Sequence, residues 1–439
     1  MIRRIIDFAL YYKYELILTI CLFANLYPAL PGYLYYASVA GMGIAMYKFK
    51  ARRTGRTGLA LALVFFLLLS SLLAGTLDAK SISLAALLFI ALANSSEEFY
   101  RFKYTFMYIS LLAYAFTSVI NFYAKHAGIN FYDGILISTW GSSTGEFSGY
   151  TCHPMWLSSA CGIGTIFFVY AMIVMYKRGN KKMTYLLGAA SLASIWTTMQ
   201  GGSRAASGIS VLCCLFLILN AFESATQKKK ILIPIILVGL MTIPSMVTDN
   251  AQFARKQGGL SLTDESGQSS RSLLWGARFA EFESSPVFGV GPGVIKIQPV
   301  GFEQSTETGS GWLTALAQTG IIGFVLVCMI VYRARLPKYV LKTDSTAALM
   351  EAVMLFLCLH SLFEAYMFQV GWYMCFVFWL LVSILDDYKI YGPVPELEES
   401  LFGEDETAEL YDNDNVNLNP NLNEKENGGE DEGTSYETE

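Results

Sequence analysis

Apolar blocks of nearly constant length recur along almost the whole chain. Of its 439 residues, 54% are hydrophobic and only 15% are charged. The hydrophobic residues fall in runs of about 17 to 22, the length at which an α-helix crosses the hydrocarbon core of a bilayer. The pattern predicts an all-α fold, a polytopic bundle of transmembrane helices.

About twelve membrane spans are predicted from these runs. Their positions are 12–28, 32–48, 58–75, 80–95, 104–123, 155–176, 183–199, 205–222, 230–248, 311–332, 346–363 and 369–386.

Lysine and arginine fall on alternate loops between these spans. The basic clusters are Arg3 and Arg4, Lys48 to Arg56, Arg101 and Lys103, Lys177 to Lys182, Lys228 to Lys230, and Arg333 to Lys342. Because short cytoplasmic loops are enriched in basic residues, these loops are predicted to be cytoplasmic, and both termini with them. The two longest connections, 124–154 and 249–310, are then external, and the second is expected to contain short helices.

The last 48 residues, from Gly392, have a different composition. They hold sixteen Asp or Glu and one Lys, so the rest of the chain has a net charge of +10 although the whole chain has −5. So few apolar residues cannot bury enough surface to fold. We expect a membrane domain over 1–391 and a disordered acidic cytoplasmic tail over 392–439.

An arginine stands at the external start of the eighth span, in GGSRAASG at 201–208. Arg204 at that depth needs water, a counter-charge or an anionic ligand. Its small neighbours, with Ser203 at the helix start, would let a phosphate approach the free backbone amides there. The alternative is an arginine that extends to the interface and only marks a helix end.

The long external loop contains RSLLWGARFAEFESSPVFGVGPG at 271–293. Arg271, Trp275 and Arg278 are spaced i, i+4 and i+7, which places them on one face of a helix, where guanidinium groups could bind phosphate oxygens. Alternatively, the helix lies at the interface and its arginines meet lipid headgroups. The GVGPG that follows is a turn, and it lacks the lysine of a nucleotide-binding loop.

Carboxylates and histidines at the same external side are candidate bases. Glu303 and Glu307 precede a Gly-Ser-Gly that opens a helix, where a carboxylate could act on a hydroxyl or the segment could simply cap the helix. His360 and Glu364 are spaced i, i+4 and could line one cavity or form a mutual ion pair. For His153, just before the sixth span, a structural role is favoured over proton transfer.

Three elements in this order resemble one family. They are G-S-R at the external start of a span, then R-x-x-x-W-x-x-R and P-x-x-G-x-G-P-G in the large loop, then a G-W-L-x-x-L-x-x-x-G-x-x-G helix. Together with the topology they resemble the O-antigen polymerase and O-antigen ligase superfamily over approximately 145–330.

The resemblance implies a metal-independent glycosyltransferase without a cofactor, acting at the periplasmic face of a bacterial inner membrane. Its donor would be a polyprenyl diphosphate-linked glycan, and its acceptor the hydroxyl of another glycan. Arg204, Arg271 and Arg278, with Ser203, would bind the diphosphate. Membrane lipid, a chain-length regulator and a flippase are the candidate partners, and no nucleic acid is expected.

One position departs from the family pattern. Ligases of this superfamily typically carry His-Asn at the start of the helix after the large loop, and the matching residues here are Gly309 and Ser310. Glu307 is then the nearest candidate base, followed by Glu303, His153, and His360 with Glu364. This departure favours a polymerase over a ligase to lipid A core or protein. A flippase or secondary transporter is the alternative of another class, although no internal repeat is evident.

Overall fold

The computed structural model of the chain describes residues 8–50, 55–132, 146–222, 224, 226, 270–299 and 308–402. Within these ranges every regular element is a helix. The predicted all-α fold is therefore confirmed for the part of the chain that the structure describes.

The α-helices are numbered in chain order. They are α1 (Lys13–Phe23), α2 (Tyr35–Lys48), α3 (Gly55–Leu73), α4 (Ala79–Ala91), α5 (Glu97–His126), α6 (Pro154–Lys177), α7 (Lys181–Gln200), α8 (Arg204–Ala221), α9 (Ser270–Ser284), α10 (Gly311–Arg333), α11 (Lys338–Thr343), α12 (Ser345–His360), α13 (Tyr373–Tyr391) and α14 (Pro395–Phe402). Two 3₁₀ turns, Gly32–Leu34 and Tyr366–Phe368, connect helices.

Eleven of the twelve predicted spans overlap these helices, and the ninth, 230–248, lies outside the described residues. Five helices are long and apolar enough to cross a membrane: Arg56–Leu73, Glu97–His126, Pro154–Lys177, Arg204–Ala221 and Gly311–Arg333. Ala79–Ala91 and Ser345–His360 are shorter apolar helices. The chain is a multi-pass membrane protein, and the full count of twelve spans stays a prediction.

The largest boundary difference is at α5, which begins at Glu97 and not at the predicted 104. Ser96 caps this helix, because its side-chain oxygen accepts a hydrogen bond from the Phe99 N–H at 3.3 Å. Glu97 and Glu98 occupy the first turn, where carboxylates interact favourably with the helix dipole. Helix α5 thus extends beyond its apolar run through a charged first turn.

Helix α13 lies at the centre of the bundle, and every residue from Tyr373 to Tyr388 is buried. The ion pairs of the described residues gather at the two ends of the bundle. We call one the loop end, formed by the starts of α6, α8 and α10, the end of α12, and α9. The other, the charged end, is formed by the first turns of α3 and α5 and the last turns of α10 and α13.

Buried ion pairs hold the charged end together. Arg56 contacts Asp386 at 3.1 Å and Asp387 at 2.7 Å, and Lys103 contacts Asp387 at 2.8 Å. Arg333 also pairs with Asp386, at 3.1 Å. The three basic residues belong to three different clusters that are predicted to be cytoplasmic: Arg56, Lys103 and Arg333. Their contact at one end of the bundle agrees with the prediction that these loops lie on the same side of the membrane. Which side of the membrane this end occupies stays a prediction.

The first residues of the predicted acidic tail form a helix. In α14, Glu396 forms an ion pair with Arg101 at 2.9 Å, and the Phe402 ring packs against Tyr170 with 6.2 Å between ring centroids. Helix α14 therefore packs against the bundle. Residues 403–439 lie outside the described part of the chain. The predicted disorder of the tail remains untested there.

A loop inserts into a break in α10. Gly320 has φ 61° and ψ −169°, which interrupts the helix. Val290 and Gly291 donate their N–H groups to the carbonyls of Ala317 and Gln318 at 3.0 and 3.1 Å. The GVGPG segment is thus a turn, as predicted, and two of its amides hydrogen-bond to the broken helix.

Replacement of Gly320 by alanine is expected to destabilise the fold by about 2–5 kcal/mol, through left-handed backbone strain and overpacking. An added Cβ would lie 2.4 Å from the Val287 carbonyl oxygen. Gly208→Ala is the matched control, since Gly208 lies within α8 and a Cβ there would meet nothing within 4 Å. Thermal unfolding in detergent measures both, and equal midpoints would contradict this role for Gly320.

Candidate active site at the loop end

A sharp reversal between α7 and α8 places Arg204. A Cβ on Gly201 would lie 2.3 Å from the Ser158 hydroxyl oxygen and 2.6 Å from the Pro154 carbonyl oxygen, so only glycine fits against α6. Gly202 has φ +78°, a left-handed conformation that glycine adopts without strain. The two glycines therefore turn the chain directly into α8.

Ser203 caps α8. Its hydroxyl oxygen accepts a hydrogen bond from the Ala206 N–H at 3.2 Å, and its own N–H donates to the Ser158 hydroxyl at 3.4 Å. Ser203 is only 3% exposed. The structure thus shows a structural use of its hydroxyl, and its predicted part in phosphate binding stays a prediction.

Arg204 is the first residue of α8 and is exposed. Within the part of the chain that the structure describes, its guanidinium makes no hydrogen bond or ion pair. The start of a helix also carries a partial positive charge and unpaired N–H groups. Arg204 therefore adds a free cation to a position that already favours an anion.

Arg271 joins three segments of the loop end. Its guanidinium, one third exposed, donates to the carbonyl oxygens of Gly309, at 3.2 Å, and Phe363, and pairs with the Glu364 carboxylate at 3.3 Å. The Trp275 indole N–H donates to the same Gly309 carbonyl at 3.0 Å. We call this group the Arg271 junction; it ties α9 to the start of α10 and to the turn after α12.

Arg278 has different surroundings. It is 1% exposed, pairs with Glu281 at 3.1 Å and donates to the Ile297 carbonyl oxygen. Glu281 in turn accepts the Ile297 N–H at 2.8 Å, and burial raises the pKa of this carboxyl. The i+7 spacing does place Arg278 on α9 as predicted, but its observed contacts are with the protein, and its predicted phosphate contact is untested.

His360 and Glu364 do not form an ion pair with each other. His360 is the last residue of α12 and is fully buried, with its ring stacked on Phe356 at 5.2 Å and Tyr366 at 5.9 Å between centroids. Neither ring nitrogen has a hydrogen-bond partner among the described residues. Because α12 ends at His360, Glu364 lies beyond the helix and its carboxylate contacts Arg271.

His153 caps α6. Its Nδ1 accepts a hydrogen bond from the Met155 N–H at 3.2 Å, and its ring packs edge-on against Tyr132. Burial lowers the pKa of His153, which keeps the ring neutral at neutral pH, as an accepting Nδ1 requires. These contacts agree with the structural role favoured for His153. Glu303 and Glu307 lie outside the described residues.

The end of α12 lies between the two arginine sites. On one side, a Cβ on Gly162 of α6 would lie 3.0 Å from the Phe356 ring and 3.6 Å from the carbonyl oxygen of Ala206, in the first turn of α8. On the other side, Phe363 and Glu364 bind Arg271. The structure thus brings Arg204, His360 and the Arg271 junction to one end of the bundle.

Residues 158–328 match the O-antigen ligase family (Wzy_C). This segment of the chain is similar to the O-antigen ligase family. No curated protein matches the chain. Members of this family carry out glycan transfer of the ligase or polymerase type.

The matched segment, residues 158–328, contains the Arg204 turn, both arginines of α9 and the start of α10. It begins at Ser158, the residue that accepts the Ser203 N–H, and ends within α10. His153, His360 and Glu364 lie outside it. The match therefore agrees with the span of 145–330 over which the motifs resemble this superfamily.

Sequence reasoning missed a cavity next to the Arg271 junction. Lys80 and Gln369 line it, although they are almost 290 positions apart in the sequence and belong to no recognisable motif. Only the packing of the start of α4 beside the turn after α12 brings them together.

Proposed function

We propose that this protein is a polymerase of a surface glycan, transferring a polyprenyl diphosphate-linked glycan to a hydroxyl of an acceptor glycan. The observation that carries this function is a pair of arginines at one end of a membrane bundle. Arg204 is exposed and has no partner among the described residues, and the Arg271 side chain is one third exposed. A lipid-linked diphosphate has its charge at the membrane boundary, where such arginines can reach it.

The reaction is a substitution at the anomeric carbon of the donor. The acceptor hydroxyl oxygen forms the new bond to this carbon, the bond from the carbon to the phosphate oxygen breaks, and polyprenyl diphosphate leaves. Negative charge grows on the leaving diphosphate as the bond breaks. Arg204 and Arg271 would stabilise that charge, so their interaction is stronger in the transition state than with the bound donor.

The hydroxyl proton needs an acceptor, and Glu307 is the proposed base. It directly precedes Thr308, which lies at the start of α10 beside the Arg271 junction. Glu303 is the second candidate. Glu364 is another, although its carboxylate is paired with Arg271. His360, with two unpartnered nitrogens inside the described structure, and His153, used as a helix cap, follow as weaker candidates.

The start of α10 supports a polymerase more than a ligase. The family's histidine would stand at Gly309, which has φ +75°, and a Cβ there would lie 3.0 Å from the Leu274 Cβ. Ser310 caps α10 by accepting the Leu313 N–H at 3.4 Å. A side chain at 309 would therefore be strained and crowded, which disfavours an imidazole base at this position.

The finer topology belongs to the same proposal. Twelve spans with both termini cytoplasmic would place the loop end on the periplasmic side of a bacterial inner membrane, where lipid-linked glycans are presented. The membrane domain would cover 1–391 and the acidic tail 392–439. A chain-length regulator and a flippase are the proposed partners.

The size distribution of the products separates polymerase from ligase. Purified protein in detergent, given the lipid diphosphate-linked oligosaccharide from its own cells, is expected to give a ladder of repeats. Transfer only to added lipid A core would identify a ligase. Movement of donor across proteoliposomes, with no transfer to any acceptor, would instead identify a transporter. Glu307→Gln should abolish the ladder, and loss of the ladder in Glu303→Gln but not in Glu307→Gln would assign the base to Glu303 instead.

A further inference from the structure

A cavity of about 650 Å³ opens at the loop end. Its walls come from five separate parts of the chain: the start of α2, the start of α4, the loop after α9, the start of α10, and the turn after α12. Cavities of this size hold small ligands. One sugar residue, or two, fits such a volume.

The cavity adjoins the Arg271 junction through two backbone neighbours. Thr308, in its wall, precedes Gly309, whose carbonyl binds Arg271 and Trp275. Ala365, also in its wall, follows Glu364, the carboxylate partner of Arg271. A ligand in the cavity would therefore lie beside the arginine assigned to the donor diphosphate.

Some polar groups of the wall are fixed by the protein. Gln318 donates to the Val294 carbonyl at 3.2 Å and accepts the Gly293 N–H at 3.2 Å. The hydroxyl of Thr314 donates to that of Thr308 at 2.6 Å. Their hydrogen bonds are used within the protein, so these residues give the cavity its shape.

Other polar groups of the wall are available. In the described structure the side chains of Tyr36, Lys80 and Gln369 make no hydrogen bond or ion pair, and no carboxylate is found among the described residues of the wall. An amide both donates and accepts, a phenol does the same, and an ammonium group donates. Such a set matches a dense array of hydroxyl groups.

We propose that this cavity binds the sugar residue whose hydroxyl attacks the donor, which makes it the acceptor site. This inference rests on the proposed glycan transfer and adds the location of its second substrate. Tyr36, Lys80 and Gln369 would orient the acceptor, while Arg204 and Arg271 hold the donor. The two substrates would then meet at the Arg271 junction.

An apolar groove elsewhere on the bundle provides a contrast. It has a volume of about 920 Å³, is lined almost entirely by apolar parts of α6, α7 and α8, and includes Tyr185 of α7. Both Tyr36 and Tyr185 are exposed, at 47% and 77%. They are therefore matched tyrosine positions for a photoreactive phenylalanine, one in the polar cavity and one in the apolar groove.

For the test, p-benzoylphenylalanine is incorporated at position 36 or 185 in cells that make the glycan. The cells are irradiated, and the cross-linked peptides are searched for sugar ions by mass spectrometry. Sugar is expected at position 36 and not at position 185. The adduct should persist when Arg204→Ala and Arg271→Ala together remove the proposed contacts to the donor diphosphate; its loss would assign the cavity to the donor glycan and overturn the proposal.

A kinetic measurement provides a second readout. Gln369→Ala is expected to raise the KM for the acceptor about three- to tenfold, the effect of one lost hydrogen bond, with an unchanged KM for the donor. The acceptor site would be overturned if the wild type transfers glycan, no sugar is found at position 36, and Gln369→Ala leaves the acceptor KM unchanged. The proposed function would then still stand. Absence of wild-type transfer would instead count against the proposed function.

Discussion

Alanine in place of Arg204 is expected to lower the rate of glycan transfer about 10²- to 10³-fold, the usual effect of removing one group that stabilises transition-state charge. The free energy of unfolding should stay within about 0.5 kcal/mol of wild type. The reason is the position of this residue, because Arg204 is exposed at the start of α8 and makes no hydrogen bond or ion pair in the described structure. Its loss removes charge without removing a structural contact.

Arg335→Ala is the matched control for Arg204→Ala. Arg335 is also exposed, at 71% of its side chain, and pairs at 3.6 Å with Glu351. It follows the last turn of α10 at the charged end, away from the loop end. Its removal should leave transfer unchanged. Equal loss of transfer in both variants would show that positive charge matters in general and would count against a diphosphate site at Arg204.

Asp387→Ala is expected to destabilise the protein by about 3–5 kcal/mol, because it leaves buried cations without their counter-charge. Asp387 pairs with Arg56 and Lys103, and all three side chains are at most 1% exposed. Asp386 would remain as a partner of Arg56 at 3.1 Å, but Lys103 would lose its only ion pair in the described structure. Thermal unfolding in detergent measures the loss.

Glu396→Ala is the control for Asp387→Ala, since it removes an exposed ion pair. Glu396 and Arg101 are 55% and 45% exposed, and exposed pairs contribute about 0–1 kcal/mol. Its unfolding midpoint should be close to that of wild type. If both variants unfold at the same temperature, the charged end does not hold the bundle together.

Much of the fold could be predicted because apolar run length and helix capping are local signals. Eleven predicted spans overlap helices, and Arg204 lies at the start of its helix as expected. The charged end was not foreseen, since Asp387 lies 331 positions after Arg56 and 284 positions after Lys103 in the sequence. No local pattern carries such a pairing.

The site shows the same division between local and long-range information. The i, i+7 spacing places Arg278 on α9, but it does not reveal that the loop around Ile297 returns to bury it. The i, i+4 spacing of His360 and Glu364 predicts a shared face only where a helix continues, and α12 ends at His360. The contacts of Arg278 and Glu364 therefore depend on residues that are close in space and distant in sequence.

The central claim is that this protein forms glycosidic bonds and releases polyprenyl diphosphate from its donor. The most direct measurement counts both products in detergent, the polyprenyl diphosphate released and the new glycosidic bonds formed, from purified wild-type protein and its lipid-linked donor. The account predicts a ratio of about one to one, as the substitution at the anomeric carbon requires. Release of lipid diphosphate without new glycosidic bonds, or no release above a protein-free sample, would contradict it.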